Sequence, residues 1–202
     1  MNRKTLLLIV FILVAVSQLL VPKYMISNLA GIARTGEEYK FKVRHQRSDF
    51  PSRENTGSSL EGRFLFLQFV GNKYLKKDTG KIDLSRPVYA VLSSDSAGYA
   101  KVVDLIQNKP LSGSNWLKVR AYKNFRDADT SSLTINFPFN TYYIEDKDLK
   151  NTEDRLTGKL KDPNCLIYMK VFIRENHFLI SDLVIDGLSF RDFVKQPDAT
   201  GK

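Results

Sequence analysis

Cys165, His45 and His177 are the residue types here that most often carry nucleophilic or metal chemistry, and their spacing argues against it. A thiol nucleophile needs a base within hydrogen-bond reach. Both histidines are far from Cys165 in the chain, and no spacing ties any of the three to a carboxylate pair. Cys165 is therefore expected to be a small apolar residue in a buried strand. Asp146, Asp148, Glu153 and Asp154 form an acidic cluster, but no Gly stands at the sixth position of a calcium loop and no Glu at the twelfth. That spacing describes a solvated helix face. The chain has no Gly-rich phosphate loop, no His-Glu-x-x-His and no Cys-x-x-Cys, so nothing implies a metal or a cofactor. With one cysteine, no disulfide forms within the chain, and packing alone must hold the fold.

The elements that would position any site begin with an uncharged run at residues 5–21, fenced by Arg3 and Lys4 before it and Lys23 after it. As a helix it covers roughly 25 Å, close to the hydrocarbon thickness of a bilayer, with its backbone groups satisfied internally. A cleaved secretory signal has a similar start. The small residues that cleavage needs are misplaced, however: Ala15-Val16-Ser17 lies inside the apolar core and Gly31-Ile32-Ala33 some ten residues past it. The sequence thus predicts a retained anchor over residues 1–22. The α-amino group, Arg3 and Lys4 outweigh Lys23 and the more distant Arg34, which keeps the N-terminus cytoplasmic. Beyond the membrane, Tyr24 sits at the interface. Met25, Ile26, Leu29, Ile32 and Ala33 continue one apolar helical face along a stalk, residues 23–36, that Gly36 ends.

The remaining 37–195 suffices for one domain with a substantial core. Of 31 basic residues Arg3 and Lys4 lie on the inner side, which leaves the exported part 29 against 22 acidic ones, a net of about +7. The cations are scattered rather than gathered with aromatics, so nucleic acid is excluded as a partner. A mild orienting pull toward anionic headgroups remains.

Period-two alternation dominates this domain. Tyr39, Phe41 and Val43 alternate with Lys40, Lys42 and Arg44 as an outer strand, and 64–69 reads as a central strand, apolar on both faces. Residues 88–92 and 99–106 form a hairpin, 116–122 and 133–137 follow, and 165–173 pairs with 178–185 through a turn in which Asn176 is left-handed. Residues 145–160 lack alternation and predict one surface helix ended near Gly158. Segments 48–59 and 79–87 read as loops, and 196–202 as a frayed tail. The expected fold is mainly β, a closed or two-layer sheet of about eight or nine short strands plus that helix.

The anchor, the Tyr39-Lys40-Phe41-Lys42 strand, Gly62-Arg63-Phe64-Leu65-Phe66-Leu67-Gln68-Phe69, Val88-Tyr89-Ala90-Val91-Leu92 and Asp95-Ser96-Ala97-Gly98-Tyr99-Ala100-Lys101-Val102 together resemble the bacterial GDYXXLXY family. Phe137-Pro138-Phe139-Asn140-Thr141-Tyr142-Tyr143-Ile144-Glu145 and Ile185-Asp186-Gly187 resemble its later segments. Gly62 and Leu67 keep the name motif, Phe64 and Phe69 replace its tyrosines, and Arg63 reverses the charge of its Asp. A role that needs a carboxylate at that position is thereby lost. The resemblance implies a membrane-anchored companion of multi-pass membrane proteins.

Gly62, Arg63, Phe64, Leu67, Phe69, Pro138, Tyr142 and Tyr143 are the candidate interaction residues. In one reading Gly62 opens the strand for backbone reasons, with Phe64, Leu67 and Phe69 in the core. In the other, Arg63 sits at the rim of a loop and meets a partner or an anion. Tyr142 and Tyr143, as neighbours on a strand, must face opposite ways, so one of them meets solvent or a partner. An anchored β domain is also similar to signal peptidase, in which a Lys activates a Ser. Ser58 or Ser59 with Lys73, Lys76, Lys77 or Lys101 would fill those roles here, although the Ser-x-Met-x-Pro signature is missing. The expectation is a non-enzymatic binding or assembly module on the outer face of the cytoplasmic membrane, with a multi-pass membrane protein as partner.

Overall fold

A single helix, α1 (Arg3–Thr35), carries both the apolar run and the stalk, with Pro22 inside it. The computed structural model describes residues 3–45, 59–61, 64–75, 82–123 and 132–196. α1 is long and apolar enough to cross a membrane. Anchor and stalk, expected as two segments, are thus one rod of roughly 50 Å. Gly36 ends it as expected: its N–H donates to Ile32 O (2.8 Å), and a Cβ at this position would lie 2.5 Å from that oxygen.

The chain then turns directly into β1 (Glu37–Lys42). β1 pairs antiparallel with β10 (Ile167–Arg174), β10 with β11 (His177–Ile185), and β11 with the short β12 (Leu188–Ser189). The β10–β11 connection is the two-residue turn expected around Asn176, with Glu175 (φ 46°) and Asn176 (φ 72°) both left-handed. A second sheet has the order β2 (Ser59–Glu61), β3 (Phe64–Phe66), β9 (Thr141–Tyr143). The third runs β4 (Lys73–Leu75), β8 (Ser132–Asn136), β7 (Trp116–Lys123), β5 (Val88–Ser94), β6 (Ala100–Ile106).

Hydrogen bonds between sheets nearly close the structure on itself. Lys40 bridges to Tyr99, joining β1 to the start of β6. The β10–β11 turn docks on β7: Glu175 N donates to Ser114 O (2.9 Å), Asn176 N to Trp116 O (3.0 Å), and Lys118 N to Asn176 Oδ1 (2.8 Å). The turn thereby uses the part of the β7 edge that β8 leaves open. Tyr74 Oη reaches Asp104 Oδ1 (3.3 Å), drawing β4 toward β6. The mainly β architecture expected from the alternation is present, with an N-terminal apolar helix. Inside lie Tyr39 and Phe41 of β1 and Val43 just after it, with Leu117, Ile135, Ile167 and Met169, and a cluster of rings in which Phe41, Phe69, Phe137 and Phe139 meet at 4.8–5.9 Å.

Several details differ from the sequence reading. Helix α2 (Asp146–Lys161) runs past Gly158, whose carbonyl accepts from Asp162 N, because its buried Leu156 and Leu160 hold the last turn on the core. A further helix, α3 (Phe190–Lys195), was not expected. Ser189 caps it, accepting from Asp192 N at 3.1 Å, and Phe190 and Phe193 are buried beneath it. The two- and three-residue strands β2, β4 and β12 were too short for alternation to reveal. Ser59, read as loop, lies in β2, and Cys165 lies just before β10 rather than in it. Most of loop 48–59 and of the tail falls outside the described residues.

Candidate functional site

β3 and the extended residues after it place residues 64–69 between two sheets. Leu67 N donates to Asn140 O (2.7 Å) on one side, and Arg44 N donates to Gln68 O (2.6 Å) on the other, next to a bridge between Val43 and Phe69. Alternation then sorts the side chains. Leu65, Leu67 and Phe69 point into the core, whereas Phe64, Phe66 and Val70 point out. The expected strand with two apolar faces is thus buried on only one. Phe64 is 46% exposed and Phe66 38% exposed, which corrects the assignment of Phe64 to the core. The reason is topological: among the described residues no layer covers the outer face of the three-stranded sheet at Phe64 and Phe66.

Phe64 pairs with Tyr143 in the β3–β9 register, and their rings meet edge to face at 5.7 Å. Tyr143 is 53% exposed, while its neighbour Tyr142 turns inward against Phe190 at 5.4 Å. The two tyrosines therefore divide between solvent and core as the strand period requires. Pro138 sits in the tight turn between the buried Phe137 and Phe139, where its fixed φ suits a turn. Gly62 and Arg63 lie outside the described residues.

Where the motif strand meets the end of β1, a cleft of about 910 Å³ opens. Lys42, Arg44 and His45 form one wall, the segment from Leu67 through the 3-10 turn Val70–Asn72 to Lys73 another, and Tyr122, Thr134 and Asn136 the floor. Arg44 Nη2 donates to Asn72 Oδ1 (3.1 Å), so the guanidinium is aimed by a neutral amide. Asn140 Nδ2 is 3.3 Å from Asn136 Oδ1 at the rim. Among the described residues no carboxylate lines the cleft, and none forms an ion pair with Lys42, Arg44 or His45. The Nδ1 atom of His45 is buried without a hydrogen-bond partner. Gly71 packs closely here: a Cβ would stand 2.9 Å from Ala100 O.

Sequence reasoning missed this wall. One sign of it was present, since Lys40, Lys42 and Arg44 alternate outward on β1, but nothing in the sequence brings them to Asn72, Tyr122 or Asn136.

The other groups with chemical potential are placed apart. Cys165 is buried beside Asp186, as expected of a thiol in the core; burial first, then the Asp186 carboxylate, pushes it up to about 12. It is therefore a protonated, unreactive thiol at neutral pH. Asp186 Oδ1 accepts from Leu166 N (2.9 Å) and Oδ2 from Lys159 Nζ (2.5 Å), and these bonds, that of Lys159 foremost, hold its carboxyl below the ordinary range. His177 lies at the far end of β11, in the turn region. Of the serine and lysine candidates, Ser58, Lys76 and Lys77 are outside the described residues. Ser59 lies on β2, Lys73 in the cleft wall, and Lys101 exposed on β6 opposite Ser93. Asp154 of the acidic cluster is exposed on α2.

No family model, no curated protein and no solved structure matches this chain.

Proposed function

We propose that the chain is a bitopic protein of a bacterial cytoplasmic membrane, N-terminus inside, whose β-rich domain works outside the membrane as a non-enzymatic binding and assembly module for a multi-pass membrane protein. One observation carries this reading: the last turn of α1 is part of the domain. Ile32 is 4% exposed, and Arg174 Nη1 donates to Thr35 Oγ1 (2.6 Å) at the base of the β10–β11 turn. Cleavage after Ala33 would remove a buried side chain, so a retained helix fits the fold better than a discarded signal. A rod built into the domain also fixes its distance from the lipid, which suits a module that meets a membrane neighbour. Arg3 and Lys4 supply the charge bias for the orientation. The resemblance to the GDYXXLXY family adds the multi-pass companion.

β1 starts where α1 docks and ends, five residue steps or about 17 Å later, at the cleft.

The test is co-purification from gently solubilised membranes with the tether intact, together with protease digestion of intact spheroplasts. The expected result is a complex containing a multi-pass protein and a domain open to external protease. A chain that emerges alone at endogenous abundance, or a protease-resistant domain facing the cytosol, overturns the proposal.

A further inference from the structure

We infer that the cleft at the end of β1 holds an extended acidic segment of a partner polypeptide. Its carboxylates meet Lys42 and Arg44, and its apolar side chains lie on Phe64, Phe66 and Tyr143. The inference deepens the binding-module reading by naming the chemistry of what is bound, and it rests on that reading.

Charge selects the sign of the ligand. Lys42 and Arg44 face a cleft that contains no carboxylate among the described residues, and Arg44 is oriented by Asn72 alone. Cations left without counter-charge on a concave surface attract an anion, and a planar carboxylate suits the guanidinium fork.

Spacing selects a strand-like ligand. Lys42 and Arg44 are two residues apart on one face of an extended chain, as are Phe64 and Phe66. Each pair is spaced by about 6.6 Å, the repeat at which an extended peptide presents alternate side chains on one face. From Arg44 the motif strand leads through Gln68 to Phe66 and Phe64, so the cationic and aromatic parts form one continuous track. A single phosphate would occupy only its first part.

The cleft lies at the opposite end of β1 from the docked helix, about 17 Å along the strand, and zwitterionic lipid keeps anionic headgroups out of the test below.

The experiment uses the full chain in nanodiscs of zwitterionic lipid and a short labelled peptide of alternating Glu and Leu, with a Gln-for-Glu peptide as control. The Glu peptide is expected to bind with an affinity that falls as salt rises, and the Gln peptide not to bind. Arg44→Gln should weaken binding about tenfold and Lys42→Gln about fivefold, each as loss of one charged contact. Phe64→Ser should weaken it about threefold without changing the salt dependence. Lys42 is exposed, and among the described residues its side chain makes no contact beyond a distant one with the Tyr99 ring (5.9 Å), so its variant stays informative if Arg44→Gln misfolds. Equal binding of the Gln peptide, or no effect of Lys42→Gln, overturns the inference. So does displacement of the peptide by inorganic phosphate at similar concentration, which would mark a bare oxyanion site. A galacturonate oligomer binding more tightly than the peptide overturns it in favour of an acidic glycan. Because the purified chain is used, failure here leaves co-purification untouched, and loss of the membrane partner with peptide binding intact would sink only the assembly reading.

Discussion

Two charged clusters flank the start of β10, and they differ in where their charges go. On one side Asp186, in the turn after β11, binds Leu166 N and Lys159, while its own N–H donates to Leu166 O (2.8 Å). On the other side Val43 N donates to Ile167 O (2.9 Å), and just beyond it Lys42, Arg44 and His45 face the cleft with no carboxylate among the described residues. The first cluster is closed: every charge has a partner supplied by the fold. The second is open. Similar residue types on neighbouring backbone thus serve structure in one case and, in our reading, recognition in the other. Partner accounting separates the two where composition cannot.

The sharpest break in this contrast comes from the ring that supports the open cluster. Phe69 meets Phe41, Phe137 and Phe139 at 5.5–5.9 Å, so Phe69→Ala should cost about 3–5 kcal/mol in thermal or denaturant unfolding. A loss below about 1 kcal/mol would show that the cleft wall is not anchored in the core. The closed cluster comes next. Asp186 has φ 49° and precedes Gly187, φ 86°, so Asp186→Ala removes both a residue tolerant of the left-handed region and the acceptor for Leu166 N. About 2 kcal/mol should be lost.

Asp186→Asn separates the ionic part from the geometric one. Asn tolerates the same φ and can still accept from Leu166 N, so only the partly exposed ion pair goes, worth under about 1 kcal/mol. The sign of its pH dependence follows from linkage. The carboxyl is depressed in the folded state, so its contribution is present above the unfolded value near pH 4 and lost as pH falls through the lower folded value. Lys159 is raised, chiefly by its bond to Asp186, so its share is complete below about pH 10 and lost above its folded value. Wild type and Asp186→Asn should therefore differ between about pH 4 and 10 and converge in acid. A difference that persists at pH 2 would assign the effect to something other than charge.

The smallest expected effect is the most telling. Lys42→Gln should change stability by no more than about 0.5 kcal/mol, because among the described residues no carboxylate pairs with it. A loss comparable to that of Asp186→Ala would make the open cluster a second structural one.

Much of this organisation is legible along the chain. The uncharged run fenced by Arg3, Lys4 and Lys23, the alternation of Tyr39, Phe41 and Val43, and the hairpins at 88–106 and 165–185 are local patterns, and local sterics and burial act on them directly. Asn176 announces its own turn because a left-handed residue is chosen by its neighbours in sequence. The division of Tyr142 from Tyr143 follows from a period of two without any knowledge of the fold. α3 could also have been found, since Ser189 and Asp192 carry the spacing of a helix cap.

The candidate site is another matter. That one face of β3 stays open, placing Phe64 outside, depends on which layer covers the three-stranded sheet. That Lys42 and Arg44 share a cleft with Asn72, Tyr122 and Asn136 depends on pairings between segments far apart in the chain. The sequence by itself determined that the protein has a long apolar helix, a β-rich body without disulfides, and cations in excess, because each is a sum or a short-range period. Which of those cations pair with a carboxylate and which face the cleft was decided only in the tertiary structure, because Coulomb partners and buried hydrogen bonds are set by distance in space, and distance in space is fixed by sheet order rather than by position in the chain.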